Sequence, residues 1–400
     1  MANNKKNSLS GPGMLITAAF IGPGTVTVCT LAGVKHGLQL LWAVLLSILM
    51  TMLFQEMAAR LGIVTRKDLA SLIKSEIKLP VLKIFTLIVV MSAIVVGNGV
   101  YEAGNISGGA LGLDTFIPSN GFKTTPLIIG SFAFLLLWFG NHKVLEIGLA
   151  ILVAFMSIAF VVAAILVKPD ISTLAAGLFL PQIPEKGMLD VLGLVGTTIV
   201  PYNLFLHASL AKDKWKSADE VKDAKRNTVS AIAIGGVISL AIVVSASALQ
   251  GEGISSATDL AKGLAPLFGE GAKYLISLGL FAAGITSAIT APLAAAYVMA
   301  GGFGWEAKLS STKFRLTWII ILAIGVLFAS IGFKPIEVIR FAQVANGLLL
   351  PIIGFLLVWL CSKSSLLGTY KNKTLTTVLA SVFVLLITIL GLKSIWGVIA

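Results

Sequence analysis

Long runs of apolar residues, separated by short polar stretches, follow one another along the chain. A transmembrane helix needs about 20 mostly apolar residues, and eleven runs are close to that length or longer. They do not alternate apolar with polar residues, as the strands of a membrane barrel do. The pattern predicts an all-α integral membrane protein whose spans lie near residues 12–34, 40–62, 82–112, 125–141, 143–167, 188–211, 228–250, 273–301, 314–333, 335–362 and 375–397.

The composition points the same way. Of the 400 residues, 57% are apolar and 12% are charged, whereas a soluble domain carries about 25% charged residues. So few charges cannot cover a water-exposed surface of this size, which argues against a soluble enzyme, a nucleic-acid-binding module or a secreted disulfide scaffold. The short polar intervals leave no room for a soluble domain, so residues 1–400 are expected to form one transmembrane domain in the lipid bilayer.

No motif of catalysis or nucleotide binding accompanies the spans. The sequence lacks a GxxxxGK[ST] phosphate loop, an HExxH motif and a cluster of cysteines and histidines. Cys29 and Cys361 lie in different apolar runs and are expected to be buried thiols. The sequence therefore predicts neither an enzyme nor an ATP-driven pump, and it implies no cofactor.

The positive charges are distributed unevenly between the two sides of the predicted bundle. With the N-terminus inside, 21 of the 30 lysines and arginines fall on the cytoplasmic side. Cytoplasmic loops carry an excess of these residues, which also accounts for the net charge of +12 without a nucleic-acid partner. We therefore expect a cytoplasmic N-terminus and, after eleven spans, an external C-terminus.

Two spans are interrupted by proline in the same way. The first carries GPGT at residues 22–25, and the sixth carries VPYN at residues 200–203. Proline breaks a helix, and broken backbone at membrane depth is tolerated where it lines a cavity. Matched breaks five spans apart predict an inverted repeat of five plus five helices, about 12–167 and 188–362, with an extra helix at 375–397. The substrate site is expected where the broken helices meet.

Several short segments between residues 11 and 351 share a family pattern. They are GPG at 11–13, QEMAARLGIVT at 55–65, DLA at 68–70, PYNLFLHAS at 201–209, AAG at 282–284, YVM at 297–299, QV at 343–344 and LP at 350–351. In this order they resemble the natural resistance-associated macrophage protein (NRAMP) family of divalent metal transporters. The resemblance implies a LeuT-type fold and a secondary transporter that works by alternating access. The short loops and eleven spans are similar to those of prokaryotic members, which implies a cell inner membrane.

The chain departs from the family where the family binds its metal. The family's DPGN is GPGT here, so Gly22 and Thr25 replace an aspartate and an asparagine. Its MPHN is VPYN here, so Val200 and Tyr202 replace a methionine and a histidine. The carboxylate and the thioether that favour a transition metal are both absent from these motifs.

The resemblance places the substrate-binding residues at both breaks and on the tenth span. They are Gly22, Pro23, Gly24, Thr25, Thr197, Val200, Tyr202, Asn203 and Gln343. Four of them offer oxygen ligands to a metal ion, although they form no strong ligand set: Thr25, Thr197, Asn203 and Gln343. Thr197 matches the position of the family's backbone-carbonyl ligand.

These residues leave the substrate open. The family favours a divalent cation. Neutral ligands alone cannot offset the cost of stripping its water, which is consistent with a partly hydrated ion. The Gly-Pro-Gly-Thr break alternatively exposes the N-terminus of a half-helix, which suits the carboxylate of a small organic solute such as an amino acid. A channel is a further alternative, but paired breaks fit alternating access better.

Two ionisable residues within the spans are candidates for a proton pathway. The resemblance maps Glu102 to a glutamate that takes part in proton transfer and His207 to the second histidine of the sixth span. The family's proton route also uses arginines in the ninth span, where this chain has Arg315 but carries Trp318 at the second position. Proton coupling therefore stays open, and uniport is an alternative.

Two further pairs of charged residues are predicted to have structural roles. Glu56 and Arg60 lie four residues apart, which places them on one helix face as an intrahelical ion pair. Glu337 and Arg340 lie three residues apart at the start of the tenth span and are interpreted in the same way.

Overall fold

The computed structural model describes residues 21–117, 124–139, 143–185 and 187–399, and every regular element in these ranges is a helix. We number the twelve principal helices α1 to α12. They are Pro23–His36 (α1), Leu41–Thr65 (α2), Pro80–Leu113 (α3), Thr124–Phe139 (α4), Lys143–Val167 (α5), Met188–Thr198 (α6), Pro201–Lys214 (α7), Val221–Ser247 (α8), Ala272–Phe303 (α9), Thr312–Ser330 (α10), Pro335–Ser362 (α11) and Thr374–Ile399 (α12).

Short helices occupy the connections. α-Helical segments span Leu69–Glu76, Ile171–Phe179, Ala257–Ala261, Ala265–Phe268 and Ser364–Leu367, and single 3-10 turns span Ala218–Glu220, Lys262–Leu264, Gly269–Gly271 and Gly368–Tyr370. The apolar-run pattern did not predict the helix Ile171–Phe179, because its nine residues are too few to register as a span. Asp170 caps it by accepting a hydrogen bond from the Thr173 backbone N–H.

The predicted spans agree closely with these helices. Within the described ranges, nine helical segments are long and apolar enough to cross a membrane, and α6 with α7 counts as one of them. α4 is apolar but has 16 residues, and only the second half of the predicted first span, α1, lies in the described ranges. The all-α membrane architecture is thus confirmed, while the count of eleven stays a prediction.

The helices that carry the candidate residues form the centre of the bundle. α3 packs against α9, α10 and α11, and α1 packs against α6, α8 and α11. Every residue of α6 except Met188 and Leu189 is buried, as are residues 23–34 of α1. The outer faces of α5 and α12 instead expose large apolar side chains such as Phe155 and Trp396. This distribution, with polar groups inside and apolar groups outside, is what a surrounding bilayer requires.

Both cysteines are buried and free, as predicted. Cys29 lies in α1, and Cys361 lies near the end of α11, where its Sγ approaches the Met57 carbonyl oxygen at 3.6 Å.

Candidate substrate site

The GPGT segment of the first predicted span marks the beginning of α1. Gly22 has extended backbone angles (φ −83°, ψ 175°), and the helix begins at Pro23. Proline suits this position because a first-turn residue needs no intrahelical N–H bond. The Val26 N–H donates to the Gly22 carbonyl oxygen at 3.2 Å, and this is the first backbone hydrogen bond of the helix. Residues 12–20, the predicted first half of this span, lie outside the described ranges.

The second break separates α6 from α7 and is confirmed. α6 ends at Thr198, Ile199 is non-helical, Val200 is extended, and α7 begins at Pro201. The Asn203 N–H donates to the Val200 carbonyl oxygen at 3.0 Å. The break therefore presents the carbonyl end of one half-helix and the N–H end of the next, which carry partial charges of opposite sign.

The two breaks meet at a pair of threonines. The hydroxyl oxygens of Thr25 in α1 and Thr197 in α6 lie 3.2 Å apart, and both side chains are buried. Thr51 of α2 supports the same region, because its hydroxyl donates to the Ser47 carbonyl at 2.7 Å and lies 3.4 Å from the Thr198 carbonyl. The predicted convergence of the first and sixth spans is present in the structure.

Gln343 of α11 lies beside the contact between α1 and α6. Its amide lies so close to Gly24 that a Cβ on that glycine would overlap it, and a Cβ on Gly196 would overlap the Gln343 backbone carbonyl. At Gly196 the overlap is with backbone, so α6 requires glycine there in order to approach α11 so closely. At Gly24 the Gln343 side chain would have to move. Gln343 is fully buried, and its Oε1 has no hydrogen-bond partner among the described residues.

Tyr202 stands where the family has its histidine. Its ring packs edge-on against Tyr101 of α3, with centroids 5.2 Å apart and an interplanar angle of 67°. Both rings are buried. Tyr101 was not among the predicted site residues, although its position next to Glu102 was a signal. Asn203 follows on α7 and is partly buried.

A second amide near the site was also missed by the sequence analysis. Asn346 lies one turn after Gln343 on α11, is buried, and has a side-chain nitrogen without a partner among the described residues. Its spacing of three residues from Gln343 places both amides on neighbouring positions of one helix face. Buried polar atoms without partners are costly and uncommon, so their occurrence together is typical of a binding site.

Glu102 lies in the interior of the bundle on α3. The Asn105 side-chain amide donates to its Oε2 at 3.1 Å, and its Oε1 has no partner among the described residues. Gly325 of α10 packs directly against the Glu102 side chain, because a Cβ there would overlap its methylene groups. The carboxyl group is thus buried beside one amide.

His207 on α7 contacts a different set of side chains. Its Nδ1 lies 2.8 Å from the Gln55 side-chain oxygen, and its Nε2 lies 3.4 Å from the Thr228 hydroxyl. One nitrogen can donate to the amide oxygen while the other accepts from the hydroxyl, which satisfies a neutral imidazole. Gln55 and Thr228 belong to α2 and α8, so His207 joins three helices.

Arg315 lies at the edge of the bundle. Its Nε donates to the Leu309 carbonyl at 2.7 Å, and its guanidinium lies over the Trp138 ring, 4.6 Å from the centroid. Trp318, at the other arginine position of the family, is buried against Phe134 with ring centroids 5.5 Å apart. A partly polar aromatic residue therefore stands inside α10 where the resemblance expects a cation.

The two predicted pairs of charged residues behave differently. Glu56 and Arg60 form the expected pair, with Arg60 Nε 2.9 Å from Glu56 Oε1. Glu337 and Arg340, interpreted as structural, do not pair with each other. Arg340 instead contacts Asp190 of α6 at 2.7 Å, and Glu337 contacts Lys334 at 3.7 Å. A buried carboxylate on a neighbouring helix is a stronger partner than an exposed one on the same helix.

The chemistry of the site is that of neutral oxygen atoms. The hydroxyl groups of Thr25 and Thr197 lie 3.2 Å apart there, near the carbonyl end of α6, and the Gln343 amide lies against Gly24. Within the described ranges, no group of three or more histidine, cysteine, aspartate or glutamate residues could hold a metal ion. Neutral oxygens suit a hard cation, whereas transition metals favour imidazole, thiolate or thioether ligands.

Comparison with known proteins identifies similar sequences over almost the whole chain. A family model described as natural resistance-associated macrophage protein-like matches residues 13–397. The divalent metal cation transporter MntH of Verminephrobacter eiseniae is 27% identical over 388 residues, covering 93% of this chain and 85% of that protein. MntH of Yersinia enterocolitica is 30% identical over 304 residues, covering 74% of this chain and 73% of that protein.

Solved structures share the fold. The manganese transporter of Eremococcus coleocola, in complex with an aromatic bis-isothiourea substituted compound, has a TM-score of 0.77 at 24% identity, covering 97% of this chain and 86% of that one. MhsT in complex with L-phenylalanine has a TM-score of 0.58 at 16% identity, covering 96% of this chain and 99% of that one. These similarities confirm the predicted LeuT-type fold.

Proposed function

Because the chain belongs to the natural resistance-associated macrophage protein family, we propose that it is a secondary transporter that moves a divalent metal cation across the membrane by alternating access. The observation that carries this proposal is the meeting of the two helix breaks at Thr25 and Thr197. The small organic solute and the channel are not favoured, since the similar curated proteins are named divalent metal cation transporters.

The proposed site lies between the GPGT break, the VPYN break and Gln343. Its ligands are the Thr25 and Thr197 hydroxyls, the carbonyl end of α6, the Gln343 amide and Asn203. A dication held by neutral oxygens alone would lose most of its hydration energy in a low-dielectric site. We therefore propose that the cation keeps part of its water shell and that these groups contact it partly through water, as suits a hard ion such as Mg²⁺.

The test is uptake into proteoliposomes combined with titration calorimetry. We expect saturable uptake and measurable heat with at least one of Mg²⁺, Mn²⁺ and Ca²⁺. An Asn203→Ala variant should lose uptake, and Thr388→Val, a change on α12 away from the breaks, should not. Heat and uptake with an amino-acid panel, together with none from millimolar metals, would overturn the metal assignment.

The five-plus-five repeat and the orientation are part of the proposal. Two helix contacts that such a repeat would relate to each other both occur, α1 with α8 and α7 with α2. Lysines and arginines are concentrated on the side of residues 60–83 and 212–226, which supports a cytoplasmic N-terminus and an external C-terminus in a bacterial inner membrane. The end of the bundle that holds His36 and Arg340 is then the external end.

Proton coupling is proposed to depend on Glu102. The buried Glu102 carboxyl group has one oxygen that accepts a hydrogen bond from Asn105 and one oxygen without a partner among the described residues. A proton on the second oxygen would therefore break no existing hydrogen bond. His207 is proposed as a further member of the pathway, although its two nitrogens already contact Gln55 and Thr228. A pH dye inside the proteoliposomes that stays unchanged during active uptake would favour uniport.

A further inference from the structure

A cluster of charged residues lies at the His36 end of the bundle, on the same helices that line the site. The Asp190 carboxylate at the beginning of α6 contacts three basic side chains. Arg340 Nη2 lies 2.7 Å from its Oδ1, His36 Nε2 lies 3.0 Å from its Oδ2, and Lys35 Nζ lies 3.5 Å from its Oδ1. The bases belong to the end of α1 and the beginning of α11, so one carboxylate joins three helices.

The cluster lies on the same helices as the substrate site, displaced from it toward the His36 end of the bundle. Lys35 lies ten residues after Thr25 on α1, and Asp190 lies seven residues before Thr197 on α6. At the helical rise these separations correspond to about 15 Å and about 10 Å along the helix axes. The same three helices therefore line the site at one level and join through the cluster at another.

Apolar side chains lie between these two levels. A Cβ on Gly193 of α6 would make ordinary van der Waals contact with Val28 of α1 at 3.5 Å and with Val344 of α11 at 3.7 Å. The three helices therefore also approach one another between the site and the charged cluster.

The exposures within the cluster differ in a way that suits a reversible contact. The Asp190 side chain is 6% exposed, whereas those of Lys35 and Arg340 are 38% and 34% exposed. The two cations can return to water at low cost, because they are already partly hydrated. A buried carboxylate is tolerated only while cations neutralise it. If the helices separate and the cations leave, the Asp190 carboxylate must therefore become exposed to water.

We propose that Asp190 is a latch for the external gate, holding α1 and α11 against α6 and keeping the substrate site closed to the outside. Opening of this gate breaks the contacts with Lys35, His36 and Arg340 and exposes all four groups to water. Asp190 is thus a positioning residue that controls access and does not contact the transported ion. The inference rests on the alternating access and the orientation of the proposed function, but it does not depend on which ion is carried.

The test measures how fast a buried reporter thiol reacts from outside. Thr25→Cys is introduced after both native cysteines are replaced (Cys29→Ala and Cys361→Ala), and a membrane-impermeant, positively charged thiol reagent is supplied to each side in turn. Asp190→Asn is expected to raise the external labelling rate several-fold without raising the internal rate. Arg340→Gln should act in the same direction, whereas Asp190→Glu, which keeps the charge, should change the rate less.

A matched control breaks an ion pair at the opposite end of the bundle. Glu76→Gln removes the partner of Lys363, now 2.9 Å away, and should leave external labelling unchanged. Equal external labelling in wild type, Asp190→Asn and Arg340→Gln would overturn the latch. An equal rise in Asp190→Asn and Glu76→Gln would also overturn it, because it would indicate general loosening. Labelling needs no transported substrate, so failure here is distinct from failure of the proposed function.

Discussion

The hydroxyl groups of Thr25 and Thr197 face each other at 3.2 Å, although 172 residues separate them in the chain. This contact joins the beginning of α1 to the last turn of α6, which ends just before the break that leads to α7. In transporters built from such repeats, the substrate site lies where the interrupted helices meet, and this contact is therefore at the centre of the proposed cation site.

Removing one hydroxyl group should weaken binding of the cation. We expect Thr25→Val to raise KM for uptake by about tenfold, since one neutral contact contributes about 1–1.5 kcal/mol. Thr25→Ser keeps the hydroxyl and should stay near wild type. A KM for Thr25→Val equal to that of the wild type would show that this hydroxyl does not contact the cation.

A single methyl group at Gly24 should close the site. Its Cβ would overlap the Gln343 amide, so Gly24→Ala must displace either α1 or that side chain. We expect uptake to fall to background while the protein remains folded, because overpacking costs about 1–3 kcal/mol. Gly148→Ala on α5 is the matched control, since a Cβ there meets nothing within 4 Å. Equal uptake by both variants would contradict this account.

Restoring a carboxylate at the first break should change the metal selectivity. Gly22 has extended angles that any residue can adopt, so Gly22→Asp is expected to fold. The added charge should tighten Mn²⁺ binding in calorimetry by at least about tenfold, because a carboxylate offsets part of the dehydration cost. Gly22→Asn adds a side chain of the same size without the charge and should give no gain in Mn²⁺ affinity. If Gly22→Asp and Gly22→Asn bind Mn²⁺ equally, the missing charge at residue 22 does not explain the metal selectivity.

Glu102→Gln should uncouple uptake from protons and retain the shape of the side chain. A glutamine can still accept from Asn105, but it cannot exchange a proton at neutral pH. We expect uptake driven by the metal gradient to persist and the internal acidification to disappear. Acidification that is unchanged in Glu102→Gln would exclude this residue as the proton carrier.

Arg60→Met should destabilise the fold. Besides the pair with Glu56, the Arg60 guanidinium donates to the Asn372 side chain at 2.7 Å and to the Tyr370 carbonyl. Its removal leaves a largely buried carboxylate unpaired, which costs about 3 kcal/mol and should lower Tm by several degrees. Lys308→Met breaks an exposed pair with Glu306 and should leave Tm unchanged, since exposed pairs contribute little.

The sequence could predict those features of the site that depend on local chemistry. Pro23 and Pro201 stand at the first positions of α1 and α7, where a residue without an N–H fits best. Pro292 and Pro351 lie inside continuous helices, so proline indicated the breaks only together with its neighbours. The absence of a carboxylate at Gly22 was equally visible. Tyr101 and Asn346 were missed because their relevance depends on which face of α3 and α11 turns toward the breaks, and helix contacts decide that orientation.

The sequence by itself determined the membrane class, nearly every span boundary, the two breaks and the family. These follow from residue hydrophobicity and backbone chemistry, which act over short stretches of chain. Only the tertiary structure decided that Arg340 pairs with Asp190 and not with Glu337, and that Arg315 lies at the edge of the bundle. Partners of charged side chains depend on which helices are neighbours and how deeply each charge is buried, because the strength of an ion pair follows distance and local dielectric rather than separation along the chain.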